Sequence, residues 1–201
     1  MTISSKDVKD LREKTGAGMM NCKKALEEAS GNVEKAMELL RKKGQKIAAE
    51  KSDRETKTGL VDSYIHPGGR IGVLVEVVCE TDFVAKNRDF KQLVHNLCMQ
   101  IAAMNPLYVS RKDIPKEILD KEKEIEGEKL KKANKPKEIV KKIIERKLEK
   151  FYQEVCLLDQ PFIKDEKKKI SNLITESIAK IGENIQIKRF IRYELGEGTN
   201  E

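Results

Sequence analysis

Apolar residues recur at helical spacing in the first part of the chain, at strand spacing in the middle, and at helical spacing again over most of the remainder. Val8 and Leu11 share one face of a short helix that Ser4 and Ser5 are placed to cap, and Thr15-Gly16-Ala17-Gly18 stops it. Met19, Cys22, Ala25, Leu26 and Ala29 mark a second helix that runs to Ser30-Gly31. Asn32 then caps a third, which carries Val33, Ala36, Met37 and Leu40 up to Gly44. Residues 1–45 thus read as a three-helix module, and residues 46–57 as a frayed helix end and linker, because little apolar periodicity survives beyond Ile47 to Ala49.

From Thr58 the period changes to two. Leu60 to Ile65 and Ile71 to Cys79 are strand-like runs joined across His66-Pro67-Gly68-Gly69-Arg70, which suits a tight reversal. Ile71, Val73, Val75 and Val77 line one face of the second strand and Leu74 and Val78 the other, which predicts a central strand covered on both sides. Phe90, Leu93, Val94, Leu97, Cys98 and Ile101 fit an amphipathic helix that ends before Pro106. Ile114 to Lys132 and Pro136 to about Phe151 are charged helical segments whose short connection, Ala133-Asn134-Lys135, predicts an antiparallel helical hairpin over about 114–151. Gln160-Pro161-Phe162 breaks the chain, Ile170 to Ile181 form another helix stopped by Gly182, and a last strand runs over Ile185 to Leu195 with a bulge expected near Arg189-Phe190. The predicted fold is α+β. Residues 58–201 form a small, mainly antiparallel sheet with helices on it and a projecting helical hairpin, following the N-terminal module.

Composition narrows the function. A chain of 201 residues with 38% apolar content builds a modest core under a heavily charged surface. No stretch reaches the roughly 18 to 20 apolar residues of a membrane-spanning helix, and the N-terminus lacks a secretory pattern, so a cytoplasmic protein is expected. The four cysteines are widely spaced within apolar patterns, which points to buried thiols and to no metal site. A formal charge of +7 raises the question of nucleic acid, and Lys129 to Lys142 and Lys164 to Lys169 are rich in lysine. Aromatic content of 4% and the absence of tryptophan argue against a sheet-based RNA platform, so no specific nucleic acid is expected. His66 and His95 lie in no recognisable nucleophile arrangement, and no phosphate-binding Gly-rich motif leads into a helix, so the chain is read as non-enzymatic and without a cofactor.

Two features are poorly explained by structural duty alone. Met19 and Met20 are adjacent on one helix and cannot both enter its core, so one should face outward. In Thr81-Asp82-Phe83, Thr81 can cap a helix and Asp82 suits its first turn, while Phe83 is open to two readings, a core aromatic or a projecting one.

Leu11 to Leu26 (LREKTGAGMMNCKKAL) and Glu80 to Asn87 (ETDFVAKN) resemble, in order, the two most characteristic motifs of the elongation factor Ts family. Weaker similarity covers Tyr64 to Val77, Asn134 to Val140, Gln160 to Phe162, Lys180 to Ile187 and the terminal ELGEG stretch, spanning the chain. The resemblance implies a guanine-nucleotide exchange factor that binds the translational GTPase elongation factor Tu and promotes GDP release, so that GTP rebinds. It implies further that the N-terminal module, similar to ubiquitin-associated domains, docks on the GTPase through Arg12, Met19, Met20 and Lys23. Asp82, Phe83, Val84 and Ala85 match the motif implicated in dislodging the partner's Mg²⁺, Phe83 as an apolar wedge and Asp82 by perturbing the polar network around the metal. His66, Ile181 and Gly182 match positions in or beside the interface.

Two departures qualify the carry-over. Asn21 stands where the family usually has an acidic residue, and the chain has room for one core subdomain where longer members carry two. The contacts that the second half makes in longer members are then missing, replaced by the helical hairpin, or supplied by a second copy in a homodimer giving a 2:2 complex. The alternatives are a ubiquitin-associated-like protein-binding adaptor, which needs only the first module, and a basic RNA-binding accessory protein.

Overall fold

The computed structural model describes residues 3–131 and 136–197. Helix α1 (Ser5–Thr15) starts at a capping box in which Ser4 Oγ accepts from the Asp7 amide and the Asp7 carboxylate accepts from the Ser4 amide. Helix α2 (Met19–Glu28) follows the glycine turn, and α3 (Val33–Lys51) starts where Asn32 Oδ1 accepts from the Lys35 amide. Val8, Leu11, Cys22, Ala25, Leu26, Ala29 and Ala36 close a small core among the three. The third helix does not end at Gly44. It runs seven residues further because Gly44 is a contact point: a Cβ added there would lie 3.4 Å from Ala179 Cβ, so the missing side chain lets two backbones approach.

Strands β1 (Thr58–Ile65) and β2 (Ile71–Cys79) form the expected hairpin, closed by the His66 amide donating to the Ile71 carbonyl. Gly68 and Gly69 both take positive φ in its turn, a conformation that side-chain-bearing residues rarely adopt. The chain continues through α4 (Asp82–Lys86), α5 (Arg88–Met104), α6 (Lys116–Lys131), α7 (Lys137–Val155), β3 (Pro161–Phe162), β4 (Asp165–Lys169), α8 (Ile170–Ile181) and β5 (Gln186–Glu194). The main sheet has the order β1-β2-β5, so β2 is central. The face that carries Leu74 and Val78 is covered at one end only: Val78 is buried, whereas Leu74 is 48% exposed. In β5 the in-out alternation slips at Lys188 and Arg189, which are both exposed, one residue before the expected bulge. The β3–β4 ribbon was not predicted, since the strand DEKKK carries no apolar alternation; it pairs antiparallel with an irregular register at Pro161/Phe162.

The chain divides into two compact units. The first comprises Met1–Val61, Glu76–Val94 and Asn172–Ile187; the second comprises Asp62–Val75, His95–Ser171 and Lys188–Glu201. Within the second, α6 packs along α7 as the helical hairpin; its expected connection at Ala133 to Lys135 lies outside the described residues, as does Gly198 of the ELGEG stretch. The base of that hairpin is held by Arg111, whose guanidinium makes paired bonds to Glu149 (2.7 and 2.8 Å) and to Asp159 (3.0 and 2.6 Å) and lies 4.3 Å from the centre of the Tyr152 ring. Beneath it Gln100 and Gln160, both fully buried, satisfy each other and the backbone carbonyls of Met104, Glu154 and Pro161.

Candidate functional site

The first unit carries a helix of five residues, α4, set between the end of β2 and the start of α5. Thr81 is its N-cap, with Oγ1 accepting from the Val84 amide at 3.4 Å. Val84 turns inward and is buried. One residue earlier on the helix, about 100° round, Phe83 points away from the protein and is 89% exposed. Asp82 is also exposed and pairs with Lys86 at 3.6 Å, while Ala85 is half-buried. Large aromatic side chains normally bury most of their surface. Here the cap and the inward Val84 fix the short helix, so its rotation leaves Phe83 no course but outward.

The corner that bears this helix is cross-braced. Glu183 Oε2 accepts from the Glu80 amide (3.1 Å) and the Thr81 amide (2.9 Å), and its Oε1 accepts from the Thr81 hydroxyl (2.6 Å). In the opposite sense, Glu80 Oε1 accepts from the Asn184 amide at 2.6 Å. The buried Asn184 side chain donates to the carbonyls of Ser52 and Arg54, and Lys51 Nζ donates to the Gly182 carbonyl, which ties in the end of α3. Just behind the corner, burial pushes the Cys79 thiol up from its ordinary pKa, and its Sγ donates to the Thr81 carbonyl. Sequence pattern did not single out Glu183 or Asn184; the available signal was two polar residues directly after a helix-stopping glycine, the second of them next to Ile185 in the core.

The three-helix module presents a second surface. Met19 and Met20 are 47% and 63% exposed, so both face outward and not one alone. With Lys23, Ile3, Ser5 and Val8 they line a shallow groove of about 220 Å³. Arg12 is exposed on α1, Lys23 stands 3.9 Å from Glu27, and Asn21 accepts from Lys43 at 2.9 Å. This module and the end of α8 meet within the same unit. A Cβ on Gly16 would lie 3.8 Å from the Lys180 side chain, and Lys180 pairs with Asp89 at 2.8 Å. The first unit therefore holds Arg12, Met19, Met20, Lys23, Asp82, Phe83, Val84, Ala85, Ile181 and Gly182. His66 belongs to the second unit, where it sits exposed at the hairpin turn with Nδ1 3.1 Å from the Tyr64 hydroxyl.

Nothing in these surfaces is arranged for bond making. The cysteines are buried, and burial pushes the Cys98 thiol up to about 12 and the Cys156 thiol up to about 11, far from a reactive thiolate. Among the described residues no group of three or more His, Cys, Asp or Glu is placed to hold a metal ion. No helix among them is long and apolar enough to cross a membrane. Exposed apolar side chains on a braced frame define a protein that acts by contact with another macromolecule.

Comparison with known proteins supplies the particular kind. Residues 3–197 match the family model described as Elongation factor TS. The chain is 60% identical over 196 residues to "Elongation factor Ts" of Moorella thermoacetica, covering 98% of this chain and 97% of that one. It is 55% identical over 201 residues to the same factor of Thermodesulfovibrio yellowstonii and 56% over 201 residues to that of Thermotoga petrophila, covering each pair of chains completely. The chain belongs to the elongation factor Ts family. It is accordingly a non-enzymatic nucleotide-exchange factor for elongation factor Tu in the elongation phase of translation, a cytoplasmic process. The relatives matched along their whole length share its size.

Proposed function

We propose that Phe83, with Asp82, Val84 and Ala85, is the element that dislodges the Mg²⁺ securing GDP on elongation factor Tu, and that the N-terminal module is the grip. The reading rests on one observation above all: a phenylalanine that is 89% exposed yet carried on a helix whose corner is hydrogen-bonded on several sides. Entry of the ring into an apolar slot of the partner contributes about 2 kcal/mol. Asp82, one residue away, brings negative charge toward the metal's surroundings, and loss of the metal unscreens the phosphates of GDP. Linkage requires the exchange to run both ways: the factor loosens GDP by the same coupling energy with which GDP loosens the factor. Met19, Met20, Lys23 and Arg12 hold the GTPase while this happens, with His66, Ile181 and Gly182 adding contacts. The working division is a module of residues 1–45, a joining segment 46–57 and a core 58–201.

The test is release of fluorescently labelled GDP from elongation factor Tu with and without Mg²⁺. The acceleration given by the factor should shrink at least tenfold once a chelator has already stripped the metal. An acceleration untouched by chelation would mean that the factor works on the base or ribose and not on the metal.

We further propose that a second copy covers the open sheet face of the second unit. Ile65, Leu74, Ile191, Tyr193 and Leu195 are all exposed there. Ile65 lies over Gly72, and the Leu195 amide donates to the Arg70 carbonyl, so the strands bring these side chains onto one surface. Arg192, alternating with its neighbours in β5, points to the opposite face, where Nε donates to the Ala102 carbonyl of α5. Two such copies would give a 2:2 complex with the GTPase. Sedimentation should show a dimer that Leu74→Lys converts to monomer; a wild-type monomer at high concentration would refute it.

A further inference from the structure

We infer that Glu183 is a positioning residue for nucleotide exchange: its carboxylate fixes the corner from which Phe83 projects, so that the ring enters the partner instead of folding back. This inference rests on the wedge reading of Phe83 and extends it to a side chain that does not itself touch the nucleotide site.

The geometry is specific to that corner. All three bonds accepted by Glu183 come from two consecutive residues, Glu80 and Thr81, which directly precede Asp82 and Phe83. Helical bonding in α4 begins only with the Ala85 amide donating to the Thr81 carbonyl, so the Glu80 and Thr81 amides stand between the end of a strand and the first helical turn. The carboxylate supplies acceptors to both. The Thr81 hydroxyl gives its single proton to Glu183, which leaves its oxygen lone pairs directed at the Val84 amide; the N-cap of α4 is thereby oriented by Glu183. The return bond from the Asn184 amide to Glu80 makes the brace reciprocal, and Asn184 anchors it to Ser52 and Arg54. An aromatic ring held away from its own protein gains by folding onto nearby apolar surface unless its stalk is stiff. Charge-assisted bonds from a backbone to a carboxylate provide that stiffness.

A purely structural role predicts lost stability with unaltered exchange per folded molecule. A positioning role predicts a change in the maximal exchange rate that passes through Phe83. In stopped-flow release of labelled GDP, Glu183→Ala should lower the rate at saturating factor roughly tenfold. The half-saturating concentration should move much less, because the module's grip is untouched. Glu183→Gln should restore most of the rate, since its amide oxygen still accepts from both backbone amides and its NH2 donates to the Thr81 oxygen. The deciding measurement is the double-mutant cycle: on a Phe83→Ala background, Glu183→Ala should cause no further slowing. Equal slowing on both backgrounds, or no slowing on the wild-type background, overturns the positioning role while leaving the wedge intact. A Phe83→Ala variant as fast as wild type removes the wedge, and the role of Glu183 with it. Should circular dichroism show that Glu183→Ala does not hold its fold, Thr81→Val, which exchanges the hydroxyl for a methyl and so removes its bond to Glu183 together with the cap it orients, carries the same cycle with the same criteria.

Discussion

Phe83→Ala separates binding from stability. With 89% of the residue exposed, its ring contributes almost nothing to the free protein, so truncation should change unfolding free energy by less than about 0.5 kcal/mol. On the proposed wedge role, the effect appears only when the ring is buried in the partner. Burying a phenylalanine side chain contributes about 2 kcal/mol, and a barrier raised by that amount slows release about 30-fold. The assay is the single-turnover release of labelled GDP from elongation factor Tu across a range of factor concentrations, alongside thermal unfolding of the free factor. Phe83→Leu, which keeps most of the apolar volume, should recover part of the loss. A saturating rate within twofold of wild type would refute the wedge, and so would a slow variant whose melting temperature had fallen in parallel, because the defect would then lie in the fold.

Four further outcomes are expected. Met20→Lys should weaken half-saturation of exchange about tenfold with little change in the maximal rate, since it removes an exposed apolar side chain from the proposed grip; titration of the rate against factor concentration checks this. Gly59→Ala should lower stability by about 2 to 3 kcal/mol, several degrees in melting temperature, because the new Cβ would lie 2.3 Å from the Val77 oxygen and 2.8 Å from the Val78 Cα. Arg111→Met should destabilise the chain by about 1 kcal/mol, a figure kept small because the side chain is 39% exposed. Finally, hydrogen bonding to Arg111 holds the Glu149 carboxyl below its ordinary value of 4.5, so this bond stabilises the fold fully above that pH and is lost as pH falls through the lowered value. Acid unfolding of Glu149→Gln should therefore show a smaller dependence on pH below 4.5 than wild type.

Element types were readable wherever periodicity was unbroken. Asn32, Thr81 and Ser4 act as caps because a short side-chain oxygen next to an apolar run has one favourable task there, and the glycine pair of the hairpin could only mean a turn. Gly44 misled because a helix stop and a helix contact ask for the same absent side chain, and only the position of Ala179, distant in sequence, distinguishes them. The β3–β4 ribbon was illegible because its second strand is a stretch of lysines and acids with no apolar alternation. Leu74 looked like a buried residue because it falls in an unbroken apolar run, yet apolar side chains also stand on protein surfaces, so apolarity alone does not fix burial. The same ambiguity kept two readings of Phe83 open until its helix was seen, and the brace from Glu183 depends on a pairing across roughly a hundred positions that local pattern does not encode.

Helix α3 passes unbroken from the module core at Ala36, through the contact at Gly44, to Lys51 at the Gly182 carbonyl. A continuous rod of this kind works as a ruler: it sets both the span and the angle between the methionine surface and the projecting ring. Inserting one alanine near Arg41 would lengthen it by about 1.5 Å and twist its two ends about 100° out of phase. Each end would still fold, but the two proposed contact points would no longer meet the same GTPase at once.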